Sequence, residues 1–362
     1  MKRLCRFKGR GHGTPYAKRT VNYLYRRFKE IGLEVRIDTF PLSVYRLKSV
    51  RVEVSSDKRK WRRLIEGEEF IPWSGSPSLR GSWQIDTLPV KNGAWITRLS
   101  LSQSLPEALE KQVALLVLLL PRLTASVSMQ KGPLPVIFIR DSLPFYRYVR
   151  VNLKGSLRQT QGWNVSARLA GRSSDSAWVV GAHYDHLGFM RRAVFWGAND
   201  NASGVAFLLA LATLLRQIGE KPPYDVWFVA FGAEELGLLG SQAWVAHPPL
   251  PLSRLRGMLN FDLVGFGEKG VAVVGAPDHP HLWQQIDSLR LDIGWQFPSL
   301  LLRPMTPNSD QYPFHQKGVP SLFLYLEGGP GFYHDIHDRP ETLSWWGAYS
   351  LMRWVQAVLF LP

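Results

Sequence analysis

Five short segments of this 362-residue chain hold the side chains best suited to chemistry, and all of them are imidazoles or carboxylates. In GAHYDHLG, His183 and Asp185 stand two apart at the end of an apolar run, so within a strand they share a face. That spacing suits a metal-binding imidazole whose second nitrogen is oriented by a carboxylate. His186, next to them, is expected to be a bystander. In GANDNASG, Asp200 precedes an apolar helical stretch, where it can bind a metal or simply cap the helix. AEELGLLGS sets Glu234 and Glu235 directly after the apolar run DVWFVAF. Two adjacent carboxylates at a strand end repel one another and are costly to desolvate without a cation, which makes this the strongest single signal. LNFDLVG places Asp262 in an otherwise apolar strand, where a lone acid needs a partner. FYHDIHDRPETL offers His334, His337 and Asp338 in a loop, and either histidine is free to be a surface residue.

Taken together these are nitrogen and oxygen donors with no thiolate, a set that suits zinc, manganese or cobalt at a hydrolytic centre. Two ions fit better than one. With Asp200 as a bridge, His183 and Asp262 complete one site and Glu235 and His334 the other. Glu234 is then left over, in position to take a proton from the attacking water.

The elements that must position these groups follow from the apolar patterning. Residues 15–33 place Ala17, Val21, Leu24, Phe28 and Ile31 at spacings of three and four before Gly32, which predicts an amphipathic helix. From about residue 35 to 153 short alternating stretches dominate, interrupted by one expected helix over 106–120. Beyond that the order becomes strand, loop, helix, repeated. The runs AWVVGA, DVWFVAF, GMLNFDLVGF, VAVVGA and VPSLFLYL read as strands covered on both faces. Helices are expected over 203–218, 238–246, 280–289, 309–317 and 343–359. This predicts an α/β fold with a mostly parallel central sheet flanked by helices, in which sites lie at the carboxyl ends of strands.

Composition narrows the partners. The single cysteine, Cys5, excludes an intramolecular disulfide and a Cys-rich zinc site. The longest apolar runs, 113–120 and 205–215, are too short to span a bilayer, so no transmembrane segment is expected. The basic N-terminus lacks an apolar core and does not read as a secretory signal; the expectation is a cytoplasmic chain as given, or a secreted or periplasmic one if a leader precedes it. Residues 1–63 hold 19 Lys/Arg against 5 Asp/Glu, leaving 25 against 24 in the rest of the chain. The basic N-terminal region can therefore contact an anionic surface, although no nucleic-acid motif accompanies it and no nucleic-acid partner is expected.

In this order the five segments resemble the di-zinc exopeptidase family of aminopeptidase S, aminopeptidase Y and glutamate carboxypeptidase II. The likeness also covers GRGHGTPYAKRTVNYLYRRFKEIGL, NVSARLAG and SDQYPFHQKGVPSLFL. It implies the zinc exopeptidase fold, two Zn2+ (Mn2+ or Co2+ as substitutes) and peptide substrates. The implied ligands are His183, Asp200 as bridge, Glu235, Asp262 and His334. Glu234 is implied as general base, Asp185 as the group behind His183, and Tyr333 as a hydrogen bond to the oxyanion. His334 is preferred to His337 because the family's last motif is Tyr-His with an acid four residues later, here Asp338. A cis peptide after Asp200 is also implied. Asn199 and Gln311 depart from the commoner Asp and His of the family, the second placing local substrate contacts in question. The likeness implies a catalytic domain over residues 1–44 and 156–362, with a β-rich inserted domain over 45–155 that loosely resembles a protease-associated domain. The expected reaction is removal of an uncharged, apolar N-terminal residue from short peptides. Rivals on the same scaffold are a glutaminyl cyclase, a binding protein without activity, and a carboxypeptidase whose free carboxylate would be held by Arg191, Arg192 or Arg303.

Overall fold

The computed structural model of the chain describes all residues except Arg191 and Gln296; the side chains of Leu291 and Asp292 are likewise not described. The opening helix α1 (Pro15–Ile31) starts where the Thr14 hydroxyl accepts the Tyr16 N–H and Pro15 pre-sets the first turn. It stops at Gly32, whose φ of 88° favours a residue without a Cβ. Ala17, Val21, Leu24 and Phe28 face the core, as their spacing predicts.

Two long strands, β1 (Glu34–Ser55) and β2 (Tyr148–Leu169), pair antiparallel along their whole length, with one irregularity between Leu47 and Ser49. This ribbon joins two parts of the molecule. At one end, residues 165–169 of β2 pair antiparallel with β4 (Tyr224–Phe231), which runs parallel to β3 (Ser173–His183). Beyond β3 come β5 (Leu255–Phe261) and β8 (Ser321–Glu327), both parallel to it, then β6 (Gly270–Val274) antiparallel to β8, and β7 (Leu300–Arg303). β4, β3, β5 and β8 form a parallel centre, and their buried runs FVAF, WVVGAH, LNF and LFL explain the continuous apolar patterning of these segments. At the other end of the ribbon, residues 148–153 pair with the strand Leu79–Asp86, which leads to the parallel strands Ala94–Thr97, Leu115–Leu120 and Val136–Arg140. The hydrogen-bonded ladder therefore runs unbroken from the main sheet into residues 45–155, while Val50, Val52, Leu115, Val117, Ile137 and Val151 form a core of their own.

The helix expected over 106–120 is two elements, a helix at Leu101–Glu110 and the strand Leu115–Leu120. A short apolar run buried on both faces carries no periodicity that separates strand from helix, and parallel neighbours on both sides claim LLVLLL for the sheet. The last helix, Ala348–Leu359, also begins later than its apolar pattern, after a short turn at Pro340–Thr342. The helix α2 (Gly204–Ile218) belongs to the stretch Ala198–Ile218, which is long and apolar enough by composition to cross a bilayer. Its Val205, Phe207, Leu208, Leu211 and Leu215 are instead packed in the main core with β3, β4 and α1.

GRGHG, just ahead of α1, contributes two buried polar residues, Arg10 and His12. Arg10 is fully buried, and its guanidinium donates from Nε to Tyr184 O (2.6 Å), from Nη1 to Trp196 O (2.9 Å) and from Nη2 to Gly197 O (2.7 Å). One side chain thus clamps the loop after β3 to the loop before α2. Removing it in Arg10→Met takes this donor from the Tyr184 and Trp196 carbonyls and leaves Gly197 O with the Ala202 N–H alone, a loss of about 3 kcal/mol by urea unfolding. Arg10→Lys should fall nearly as far, because one ammonium cannot reproduce the planar fork; a loss below about 1 kcal/mol for either variant would show that the clamp is dispensable. His12 lies against Trp163 and Tyr184 with neither ring nitrogen bonded among the described residues. Burial pushes its pKa from the ordinary 6.5 down to about 4. Between those two values the unfolded chain binds a proton that the folded chain refuses, so stability is present above pH 6.5 and is lost as pH falls towards 4. His12→Phe should flatten that part of the stability curve, measured as urea midpoints at pH 7 and pH 5; an unchanged slope would mean His12 does not contribute.

Candidate active site

Each predicted ligand sits at the carboxyl end of a parallel strand or in the loop that follows, the place where strand ends leave polar groups free of the ladder. His183 is the last residue of β3; Glu234 and Glu235 follow β4; Asp262 follows β5. Asp200 comes from the loop Ala198–Ser203 in front of α2, and His334 from the loop after β8.

These side chains converge. His183 Nε2 lies 3.2 Å from Asp262 Oδ2, 3.4 Å from Asp200 Oδ1 and 3.9 Å from Glu234 Oε2. His334 Nε2 lies 3.2 Å from both Asp200 Oδ2 and Glu235 Oε2. Asp200 turns one carboxylate oxygen to each histidine, so the two groups of donors meet at a single residue. His183, Asp200 and Asp262 form one set whose ligand atoms all lie within 4.8 Å of one another, and His186, Asp200, Glu235 and His334 form the other. His337, the rival of His334, is exposed and hydrogen-bonded to Asp335 instead. Tyr333 stacks on the His334 ring with centroids 3.9 Å apart.

Neighbouring groups fix the donors. The Asp338 carboxylate accepts the backbone N–H of Asn199 (2.7 Å) and of Asp200 (3.0 Å), and the peptide Asp200-Asn201 is cis. Asn199 Oδ1 accepts the N–H of Gly265, tying the Asp200 loop to the loop after β5. Ser309 donates to Asp262 Oδ2 at 3.1 Å. His183 Nδ1 is 3.2 Å from the carbonyl of Asp185 and 3.9 Å from its carboxylate, which instead accepts the Glu234 N–H at 3.2 Å. The main chain of Asp185 therefore orients the imidazole, and its side chain braces the acidic pair. His334 Nδ1 bonds the carbonyl of Ala125 at 3.1 Å, and the Ala125 N–H returns a bond to His334 O at 3.0 Å. Residues 45–155 thus reach the site through their own backbone. Gln311 is turned away from the donors, its amide N–H groups bonded to Thr306 O and Asn308 Oδ1.

The electrostatics of the site follow from burying acids beside imidazoles. Four buried or nearly buried carboxylates, Asp200, Glu234, Glu235 and Asp262, face three imidazoles, His183, His186 and His334. Burial and the neighbouring acids raise Glu234 well above the ordinary carboxylate range despite the opposing pull of His183. Burial also raises Asp262, and lifts Asp185 to about 7. Burial alone would lower His334, but Glu235 and Asp200 carry it to about 11; His183 is likewise raised by Asp262, Glu234 and Asp200. Glu235 moves the other way, its burial overcome by His334 and His186. In the protein alone His183 and His334 serve as counter-cations. Among the described residues Asp200 Oδ2 and Asp262 Oδ1 are buried without a hydrogen-bond partner, and His186 Nε2 is too. Open carboxylate oxygens beside imidazole nitrogens suit a divalent cation with nitrogen and oxygen ligands, so the residues fit the metal that the sequence implies.

His186 is the residue that the sequence reading set aside. Its ring is buried, with Nδ1 2.7 Å from Glu235 Oε1 and 3.7 Å from Asp200 Oδ2. The signal was its place in HYDH, directly after Asp185 and three residues beyond the strand end at His183.

Known proteins share this arrangement of strands. The chain is 31% identical over 239 residues to the aminopeptidase YwaD of Bacillus subtilis, an alignment covering 61% of this chain and 50% of that protein, so the chain spans about half the length of this curated relative. The solved structure of BSAP, a zinc aminopeptidase from Bacillus subtilis, superposes with a TM-score of 0.76 at 22% identity, covering 96% of this chain and 89% of that one. The glutaminyl cyclase of Porphyromonas gingivalis has the same fold at a TM-score of 0.55 and 15% identity, covering 99% and 94% of the two chains. Residues 164–359, more than half of the chain and all of the convergent donors, match Peptidase family M28, and the chain belongs to that family.

Proposed function

We propose that this chain is a zinc-dependent aminopeptidase that removes an uncharged, apolar N-terminal residue from short peptides. The observation that carries the reading is Asp200, with Oδ1 turned to His183 and Oδ2 to His334 between two sets of donors. On this reading His183, Asp262 and Asp200 hold one zinc, and Asp200, Glu235 and His334 hold a second. Two dications so placed acidify water and polarise a peptide carbonyl.

The chain's own groups do the rest. Glu234 follows the same strand end as Glu235, yet its Oε2 stays 3.9 Å from His183, free to accept the proton of an attacking water and pass it to the leaving amine. Tyr333 is exposed over its ring, but desolvation at its hydroxyl and the surrounding carboxylates raise its pKa, so the hydroxyl stays protonated and is available to donate to developing negative charge on the substrate oxygen. A cavity of about 350 Å³ opens beside Asp200, lined by Leu263, Phe266, Tyr325, Phe332 and Tyr333, with Lys269 and Glu327 of opposite charge also on its wall. Those walls suit an apolar side chain. A free α-amine is stabilised by the carboxylates, whereas a free α-carboxylate needs an unpaired cation. Arg303 is bonded to Glu327 at 3.2 Å, Arg192 is exposed, and Arg191 lies outside the described residues, so Lys269 on the cavity wall is the cation against which the amine-blocked peptide below is the control. We read residues 45–155 as an inserted domain that borders the cleft through Ala125 and Arg122, the latter 3.4 Å from Asp335, and limits the length of peptide admitted.

Three experiments test this. Leucine p-nitroanilide should be cleaved and its N-acetyl derivative should not; cyclisation of an N-terminal glutamine peptide would identify a cyclase, and cleavage of an amine-blocked peptide with a free carboxyl end a carboxypeptidase. Asp200→Ala should lose both zinc ions on metal analysis, because a bridge serves both; retention of two tightly bound ions would defeat the assignment. Glu234→Gln should keep its zinc while turnover falls by roughly 10²–10⁴, whereas Glu235→Gln should lose one ion. Equal metal content in those two variants would end the division of labour between them.

A further inference from the structure

His186 is held on every side. The ring is 1% exposed, its edge meets the His334 ring with centroids 5.6 Å apart at 71°, and a Cβ on Gly197 would stand 2.4 Å from its Cγ. Gly197, at φ 57°, leaves the room that this ring fills. Within that enclosure one polar contact is short, Nδ1 to Glu235 Oε1 at 2.7 Å. The other oxygen, Oε2, is the one that faces His334 Nε2.

We propose that His186 is a positioning residue, donating its Nδ1–H to Glu235 Oε1 so that Oε2 is presented to the cation site shared with Asp200 and His334. This rests on the two-zinc reading above. A carboxylate on a two-bond side chain has several rotamers, and the terminal torsion of Glu is broad, so an ion that relies on one of its oxygens gains from a second bond that fixes the other. The tautomer is consistent with the surroundings. Nε2 is buried without a described partner, and an open acceptor lone pair is tolerated there better than an unbonded N–H. A nitrogen that donates to Oε1 has no lone pair left for the ion, so His186 acts through Glu235 rather than as a ligand. Asp185 performs the matching task on the other acid of the pair, through its carboxylate on the Glu234 N–H.

The test compares the full chain with His186→Ala and with His186→Asn, whose side-chain N–H can occupy the place of Nδ1. Zinc affinity is read by competition with a chelator, and cobalt-substituted protein is read by its visible absorption. The wild type should hold two ions; His186→Ala should weaken one of them about 10–100-fold and leave the other unchanged, and His186→Asn should recover most of the loss. At saturation the cobalt spectrum of His186→Asn should equal that of the wild type, since no ligand has changed. Wild-type affinity for both ions in His186→Ala would overturn the inference. So would a changed cobalt spectrum or an absence of rescue in His186→Asn, either of which would make His186 a direct ligand. A wild-type protein that holds no zinc would instead remove the two-zinc reading itself, and with it this one.

Discussion

Buried like charge is the constraint on which the rest of this structure depends. Asp200, Glu234, Glu235 and Asp262 approach one another where water is largely excluded, and each would resist ionising there alone. The opposing shifts at neighbouring positions, Glu234 raised and Glu235 lowered, show how unevenly the neutralisation is shared between two adjacent acids. Divalent cations neutralise the same acids while leaving the imidazoles uncharged, as ligation requires. The fold supplies this arrangement by ending three adjacent parallel strands, β4, β3 and β5, at the same level, so that Glu234 and Glu235, His183, and Asp262 emerge side by side.

Strand ends alone do not bring in Asp200 and His334, which come from loops. Those loops are held by groups that are themselves buried and charged or by backbone. Arg10 binds the carbonyl of Gly197 at the start of the Asp200 loop while holding Tyr184, the residue between His183 and Asp185. Asp338, four residues after His334, takes the two N–H groups of the same loop. Ala125 pins His334 from residues 45–155. The site is thus assembled from three distant parts of the chain, and the long β1–β2 ribbon that carries residues 45–155 is also what brings Ala125 within reach.

The parallel centre was legible because residues such as Val179, Val180, Phe228 and Leu259 are apolar on both faces, a pattern that helices on both sides demand. The donor residues were legible because acids at the end of an apolar run conflict with burial. What escaped was context supplied by tertiary neighbours. LLVLLL at 115–120 reads equally as helix or strand until its parallel partners are known. His186 looked redundant beside two better-placed donors, since nothing in sequence reveals that its ring turns back to Glu235. The carboxylate of Asp185 was assigned to His183 by spacing, yet the backbone carbonyl two residues on is nearer, and the side chain went to the open N–H of Glu234.

The backbone around the donors carries a further cost that bears on what the metal contributes. Ala233, immediately before Glu234, has a φ of 59°, Leu263, immediately after Asp262, one of 57°, and His334 itself one of 55°. A left-handed conformation costs a residue with a Cβ about 1–2 kcal/mol, and none of these three is a glycine or an asparagine for which the cost is small. Each turn aims an acid or an imidazole inward at the expense of local stability, in the same place where the acids repel. Folding without cations therefore leaves the strain and the repulsion together in one small volume. A cation that binds the folded chain and not the unfolded one offsets both through the free energy of its binding. In this molecule the acids that would perform hydrolysis repel one another beside the strained turns at Ala233, Leu263 and His334, so metal occupancy should govern the stability of this region as well as its chemistry.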